Sequence, residues 1–184
     1  MIPFFSHKSI GILLFYLTII QFLILLIFAE IFGFRVNLTA SLPLGLYRIT
    51  DEVPSRGDMA FFCLESEFRG LATERGYVGP GTCPGGLRAL GKTIAGLPGD
   101  LVGIETDGSI SINDQILPGS AAKVCDSRGR AMPRSQLRPG IIPPGQALML
   151  SLHHPGSFDG RYFGLVRLAD LHLIRPVFTI KEAP

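Results

Sequence analysis

Between Ile10 and Ala29 the chain reads IGILLFYLTIIQFLILLIFA, with no charged side chain and only Thr18 and Gln21 strongly polar. A helix of roughly twenty residues rising about 1.5 Å each matches a bilayer hydrocarbon core of about 30 Å. The run is longer than the apolar core of a removed leader, and Ala29-Glu30-Ile31 makes a poor small-x-small cleavage site. Residues 1–34 therefore read as a tail and membrane anchor in preference to a cleaved signal segment. Lys8 precedes the span and Arg35 comes after it; the favoured arrangement keeps the short basic tail inside and residues 35–184 outside the cytoplasm.

Beyond the anchor the chain has a different texture. Glycine (22) and proline (14) are abundant and tryptophan is absent, which suits many turns and short strands better than long helices. Short apolar runs bounded by turn signals predict strands over Met59–Leu64, Leu87–Ile94, Leu101–Glu105, Ser109–Leu117, Ala147–Leu152, Phe163–Leu168 and His172–Ile180, the last broken by Pro176. Asp107-Gly108 marks a hairpin turn, and Asn113-Asp114 opens a second. SEFRGLATERG (Ser66–Gly76) predicts a short helix, and YVGPGTCPGG (Tyr77–Gly86) a loop. The expected architecture is one mostly β domain behind a single apolar segment, with no repeat and no second domain.

Net charge is only +2 and there is no block of Lys and Arg, so nothing points to a nucleic-acid partner. Cys63, Cys83 and Cys125 fit neither a tetrahedral metal site nor a disulfide-dense scaffold. A Cys83–Cys125 bond is the favoured pairing, since both lie in loop-like text, with three separate thiols as the alternative.

GLRALGKT (Gly86–Thr93) matches the phosphate-loop pattern G-x-x-x-x-G-K-[ST]. That loop needs a buried strand before it and a helix N-terminus after it, whose free N–H groups bind phosphate. Here Val78–Gly85 is too rich in Gly and Pro for a buried strand, and Gly96-Leu97-Pro98-Gly99 stops any helix. Lys92 instead sits within largely apolar strand text. Desolvation disfavours its ammonium, and a lysine whose pKa falls towards about 7–8 can act as a base. Ser41, in NLTASLPLGLY (Asn37–Tyr47) just beyond the anchor, lies on irregular backbone that can expose a nucleophile. Together they supply the Ser-Lys variant of triad chemistry. His7, His153, His154 and His172 read as exposed; a Ser41–His–Asp159 set has no local motif, and no H-E-x-x-H is present.

Four blocks in order carry a resemblance: ASLPLGLY with Ser41, VPSRGDMAFF (Val53–Phe62), GKTIAGLPGDLV (Gly91–Val102) and GSFDGRYFGLV (Gly156–Val166), with IPPGQALML (Ile142–Leu150) before the last. The chain resembles the bacterial type I signal peptidases over nearly all its exported length. More closely it resembles their TraF-type branch, which matures pilin for conjugative type IV secretion, in Asn37–Tyr47, GTCPGG (Gly81–Gly86), DSRGRAMP (Asp126–Pro133) and SFDGRYFG (Ser157–Gly164). The resemblance implies a coiled antiparallel β domain and a Ser-Lys endopeptidase with Ser41 as nucleophile and Lys92 as base. Thr39 then joins the oxyanion hole, Ser157 aims the lysine, and Asp159 pairs with Arg161. It further implies no metal or cofactor, a pilin precursor as substrate, the conjugative secretion machinery as partner, and an inner-membrane protein with its catalytic domain in the periplasm. A general type I signal peptidase is the alternative, and an inactive membrane-tethered β module a rival of another class. Gly160 stands where the family commonly has Ser and Thr93 where Arg is common, which leaves the support of Lys92 one hydroxyl short.

Overall fold

The computed structural model describes residues 7–180. Helix α1 (His7–Ile31) contains the 22-residue stretch Ile10–Ile31, whose mean hydropathy of 2.8 and lack of buried residues suit a lipid surround. Gly33, at φ +73°, ends it, and its carbonyl accepts the Ile49 N–H at 2.9 Å. The chain passes at once into β1 (Phe34–Asn37) and, after a loop, β2 (Gly45–Thr50). Next come β3 (Met59–Phe62), α2 (Ser66–Arg75), β4 (Pro80–Cys83), β5 (Leu90–Gly96), β6 (Leu101–Ile104), β7 (Ile110–Ile112), β8 (Gln115–Ile116), β9 (Gly140–Ile141) and β10 (Gln146–Leu150). A single helical turn, α3 (Gly160–Phe163), β11 (Leu165–Arg167) and β12 (His172–Thr179) complete the chain.

Seven strands form one antiparallel sheet in the order β1-β2-β12-β3-β5-β10-β11, and four form a second in the order β8-β7-β6-β9. The alternation of apolar residues in the sequence becomes two large clusters and, among the described residues, a smaller third of Leu42, Tyr47 and Ile174. Ala60, Phe62, Ile94, Met149, Phe163 and Leu173 centre the first. Val102, Ile110 and Ile112 of the smaller sheet, with Ile142 just after β9, meet Leu148 and Leu150 of the larger in the second, so the two sheets share a core. The fold is mostly β behind one apolar helix.

Several elements differ from the sequence reading for visible reasons. The single run Ser109–Leu117 is two strands, split by the turn expected at Asn113-Asp114, where both residues take positive φ (50° and 64°) and turn the chain back on itself. Phe163 belongs to α3 instead of a strand: the Asp159 side chain accepts the Arg161 N–H and starts a helical turn there. β12 survives Pro176 through a register shift between Pro176 and Phe178. The expected loop Tyr77–Gly86 contains β4, which bridges back to Leu87 in a tight hairpin. Its glycine content is what permits this, since a Cβ on Gly81 would lie 2.5 Å from the Arg88 Cα. β1 and β2 were not expected; β1 is only four residues long and adjoins the anchor, too short for an alternation to show.

The cysteine expectation is corrected. The bond joins Cys63, just after β3, to Cys83 at the end of β4, with Cα atoms 5.6 Å apart, and Cys125 is an exposed free thiol. Cys125 is held away in its own turn, where it bridges Ala131; loop character carries no information about distance. Because the bond closes a 20-residue separation, Cys63→Ser should lower the unfolding free energy by about 3 kcal/mol. Urea denaturation with and without reductant checks this, and reductant should have no further effect on the variant.

The DSRGRAMP segment wraps this same region. Asp126 accepts from the Tyr77 hydroxyl (2.8 Å) and from the Arg130 Nε (2.7 Å). Burial raises its pKa, but the Arg130 N–H, the Tyr77 hydroxyl and the Arg130 guanidinium outweigh that and hold it well below the usual carboxylate range. The Tyr77 ring in turn packs 5.2 Å from that of Phe158.

Candidate active site

Ser41 lies on the connection between β1 and β2, which pair from Phe34↔Arg48 to Asn37↔Gly45. That loop is shaped by one buried carboxamide. Asn37 Nδ2 donates to the carbonyls of Thr39 (2.9 Å), Leu42 (3.0 Å) and Pro43 (3.1 Å), while its Oδ1 accepts the Thr39 N–H (3.2 Å) and hydroxyl (2.7 Å). The Tyr47 hydroxyl donates to the Pro43 carbonyl, and Leu42 is sunk against Tyr47 and Ile174. The Ser151 hydroxyl donates to the Ser41 carbonyl at 2.8 Å. The Ser41 N–H has no internal acceptor among the described residues.

Lys92 sits in the middle of β5, with Ala60 of β3 as its register partner. Mid-strand placement disposes of the phosphate-loop pattern, which requires a helix at that point. The lysine is 1% exposed, and its Nζ lies 2.7 Å from Ser41 Oγ and 2.5 Å from Ser157 Oγ. The two hydroxyl oxygens are 3.3 Å apart. Burial pulls its pKa down from 10.5 to about 8; the Asp159 carboxylate opposes this shift and the Arg161 guanidinium adds to it.

Asp159 and Arg161 are both fully buried. Arg161 Nε and Nη2 grip the two carboxylate oxygens at 2.8 and 2.7 Å, and the Arg161 and Ser151 backbone N–H groups also donate to the carboxylate. Arg161 Nη1 donates to the Pro155 carbonyl as well, at 2.9 Å. A carboxylate so occupied is not a histidine's partner, which removes the Ser-His-Asp alternative. His153, His154 and His172 are exposed, and the side chain of His7 lies outside the described residues. The glycine at 160 also has a reason: a Cβ there would lie 2.7 Å from the Met149 carbonyl and 2.8 Å from Leu148 Cδ1. The hydroxyl next to Lys92 comes from Ser157.

A cavity of about 260 Å³ opens on these groups, lined by Thr39, Ser41, Lys92 and Ser157 together with Tyr77 and Phe158. The structure thus brings all six expected residues into one neighbourhood, two of them as a buried ion pair behind the cavity. Asn37 and Ser151 position the serine and are not singled out by sequence reasoning. Asn37 stands within the Asn37–Tyr47 motif, where a role could have been sought, whereas nothing in the sequence marks Ser151.

The family model for signal peptidase, peptidase S26, matches residues 7–173. The chain belongs to the signal peptidase S26 family. A plasmid transfer protein TraF of Escherichia coli is 36% identical over 80% of this chain and 83% of its own length. The conjugal transfer protein TraF of Agrobacterium tumefaciens (strain 15955) is 41% identical over the same shares, 80% and 83%. A solved signal peptidase I from Enterococcus faecalis V583 aligns at TM-score 0.40 and 24% identity, covering 68% of this chain and 99% of that one. This S26 peptidase is therefore of the TraF type. Its apolar α1 and its family together make it a membrane-anchored serine peptidase.

Proposed function

We propose that the protein is a membrane-bound serine endopeptidase that processes a pilin precursor for plasmid conjugative transfer, using Ser41 and Lys92 as a dyad. The observation that carries the chemistry is a fully buried lysine, its pKa drawn down to about 8, within hydrogen-bond reach of one loop serine. Neutral Lys92 Nζ accepts the Ser41 hydroxyl proton through its lone pair as Oγ attacks the scissile carbonyl. The resulting ammonium returns that proton to the leaving amine, and an ester on Ser41 remains. The Ser157 hydroxyl holds Nζ in line. The Ser41 N–H, free of internal acceptors among the described residues, meets the oxyanion. Thr39 supplies a second donor when its hydroxyl turns from Asn37 Oδ1, which still retains the Thr39 N–H.

Conjugation enters through relatives named as plasmid or conjugal transfer proteins, and pilin through the resemblance to the TraF-type branch. The disulfide suits an oxidising compartment, in keeping with a domain on the periplasmic side of the inner membrane. In the second half-reaction the pilin's own α-amine attacks the Ser41 ester and a cyclic peptide leaves. No ATP is required, because the free energy of the cleaved amide is kept in the ester. The amine outcompetes water through tethering, for which effective molarities of roughly 10⁵–10⁸ M are known in well-oriented systems.

Co-expression with a candidate pilin precursor tests both halves. Wild type should convert the precursor and Ser41→Ala should leave it intact. The intact mass of the product should be one water below the linear form. A linear product with a free amine would mean hydrolysis, and an unprocessed precursor would remove the pilin assignment.

A further inference from the structure

The cavity over Ser41 has a one-sided charge. Its ionisable lining residues are Arg88, Lys92 and His154, with Tyr77 beside them; among the described residues no aspartate or glutamate lines it. Lys92 is engaged by the two serines and Asp159 is turned away behind the cavity, held by Arg161 and Ser151. Arg88 is different. It is exposed, and its guanidinium makes no hydrogen bond or ion pair among the described residues; Arg48, Arg128 and Arg134 are also without a side-chain partner there, but of these four only Arg88 lines the cavity. Its backbone, by contrast, is fixed: the Arg88 N–H donates to the Gly79 carbonyl at 2.7 Å in the hairpin that the Cys63–Cys83 bond secures. The guanidinium passes within 3.7 Å of where a Cβ on Gly79 would stand, and Gly79 also lines the cavity. A planar fork of donors with no internal acceptor, held on a rigid hairpin at a cleft without acids, is suited to a carboxylate brought by the substrate.

We propose that Arg88 is a specificity residue that recognises a carboxylate on the peptide substrate within a few residues of the scissile bond. Arg88 stands four positions before Lys92 on chain leading into β5. An extended substrate advances about 3.3 Å per residue, so the recognised group lies about four residues or fewer from the bond cut. The carboxylate is either an acidic side chain or the chain's own C-terminus. This inference rests on the peptidase reading above.

The test uses the full-length enzyme in detergent and a synthetic library of peptides randomised with Glu, Gln and Lys among the allowed residues, made with free and with amidated C-termini. Mass spectrometry reads the cleavage positions. Wild type should cut Glu-containing peptides about tenfold faster than their Lys counterparts at one fixed position near the bond, the ratio shrinking as salt is raised. Arg88→Glu should invert that ratio, and Arg88→Gln should bring it near unity. Each ratio is taken within one preparation, so a loss of folded enzyme does not alter it. Preference confined to free-acid peptides would assign the carboxylate to the chain terminus, and preference kept in amidated peptides to a side chain. No charge preference in wild type, or one that persists unchanged in Arg88→Glu, overturns the proposal. Wild-type enzyme that cuts no peptide at all overturns the peptidase reading and this inference with it.

Discussion

Lys92→Arg should lower kcat/KM by about 10⁴-fold or more, although it conserves the charge. Guanidinium stays protonated throughout the accessible pH range, so it has no lone pair to take the Ser41 proton. In the wild type, activity should rise with pH through an inflection near the lysine pKa of about 8 and be lost below it. Substantial activity in Lys92→Arg would end the dyad assignment. The same lysine makes a second prediction, for stability, that runs in the same direction with pH. Its folded pKa of about 8 lies below its ordinary 10.5, so below pH 8 the folded state holds a charge it disfavours, a cost on the order of 3 kcal/mol. Stability should therefore decrease as pH falls from about 10.5 to about 8, the interval in which the unfolded chain binds a proton that the folded chain does not. Lys92→Met, inactive, should be more stable than wild type at pH 7 by about 2 kcal/mol, with the gain shrinking at higher pH. Thermal melts at several pH values check both parts.

Asp159→Asn should be the most destabilising single change at the site, by about 3–5 kcal/mol, because it leaves the buried Arg161 guanidinium without its carboxylate. It should also shift the pH profile. The carboxylate raises the Lys92 pKa while Arg161 lowers it, so its removal drives that pKa further down. The acid limb of the activity profile of whatever enzyme folds should move to lower pH. A role limited to packing would reduce the amount of active enzyme and leave the limb where it was. Replacing Arg161 with Met in the same chain should restore part of the stability, since the orphaned charge is gone.

The placement of Ser41 and Lys92 was legible in the text around them: a Pro- and Gly-bounded loop beside the anchor, and a lysine in an apolar strand. The strand periodicity of Met59–Phe62, Leu101–Ile104 and Gln146–Leu150 was legible for the same reason, each burying one or both faces. The disulfide was not, since pairing depends on where the β4 hairpin crosses the end of β3, a long-range fact with no local trace. Nor was Ser151, whose hydroxyl acts across 110 positions of sequence. The reason for Gly160 was equally hidden. In the sequence it looks like a missing hydroxyl, whereas the contact that forbids a side chain there comes from β10.

The abrupt passage from α1 through Gly33 into β1 limits where this enzyme can work. Ser41 comes ten positions after Ile31, 41 minus 31, and four of these are tied into the sheet. At no more than about 3.6 Å per residue, Ser41, the proposed nucleophile, can stand at most about 36 Å from the end of the helix. The anchor is therefore a short leash, and the Ser41 hydroxyl is kept to a shell next to the lipid. A peptide bond outside that shell is safe whatever its sequence, and one held inside it by its own membrane segment is presented at high local concentration. Address in the cell envelope does part of the selecting, so the cleft itself can remain small.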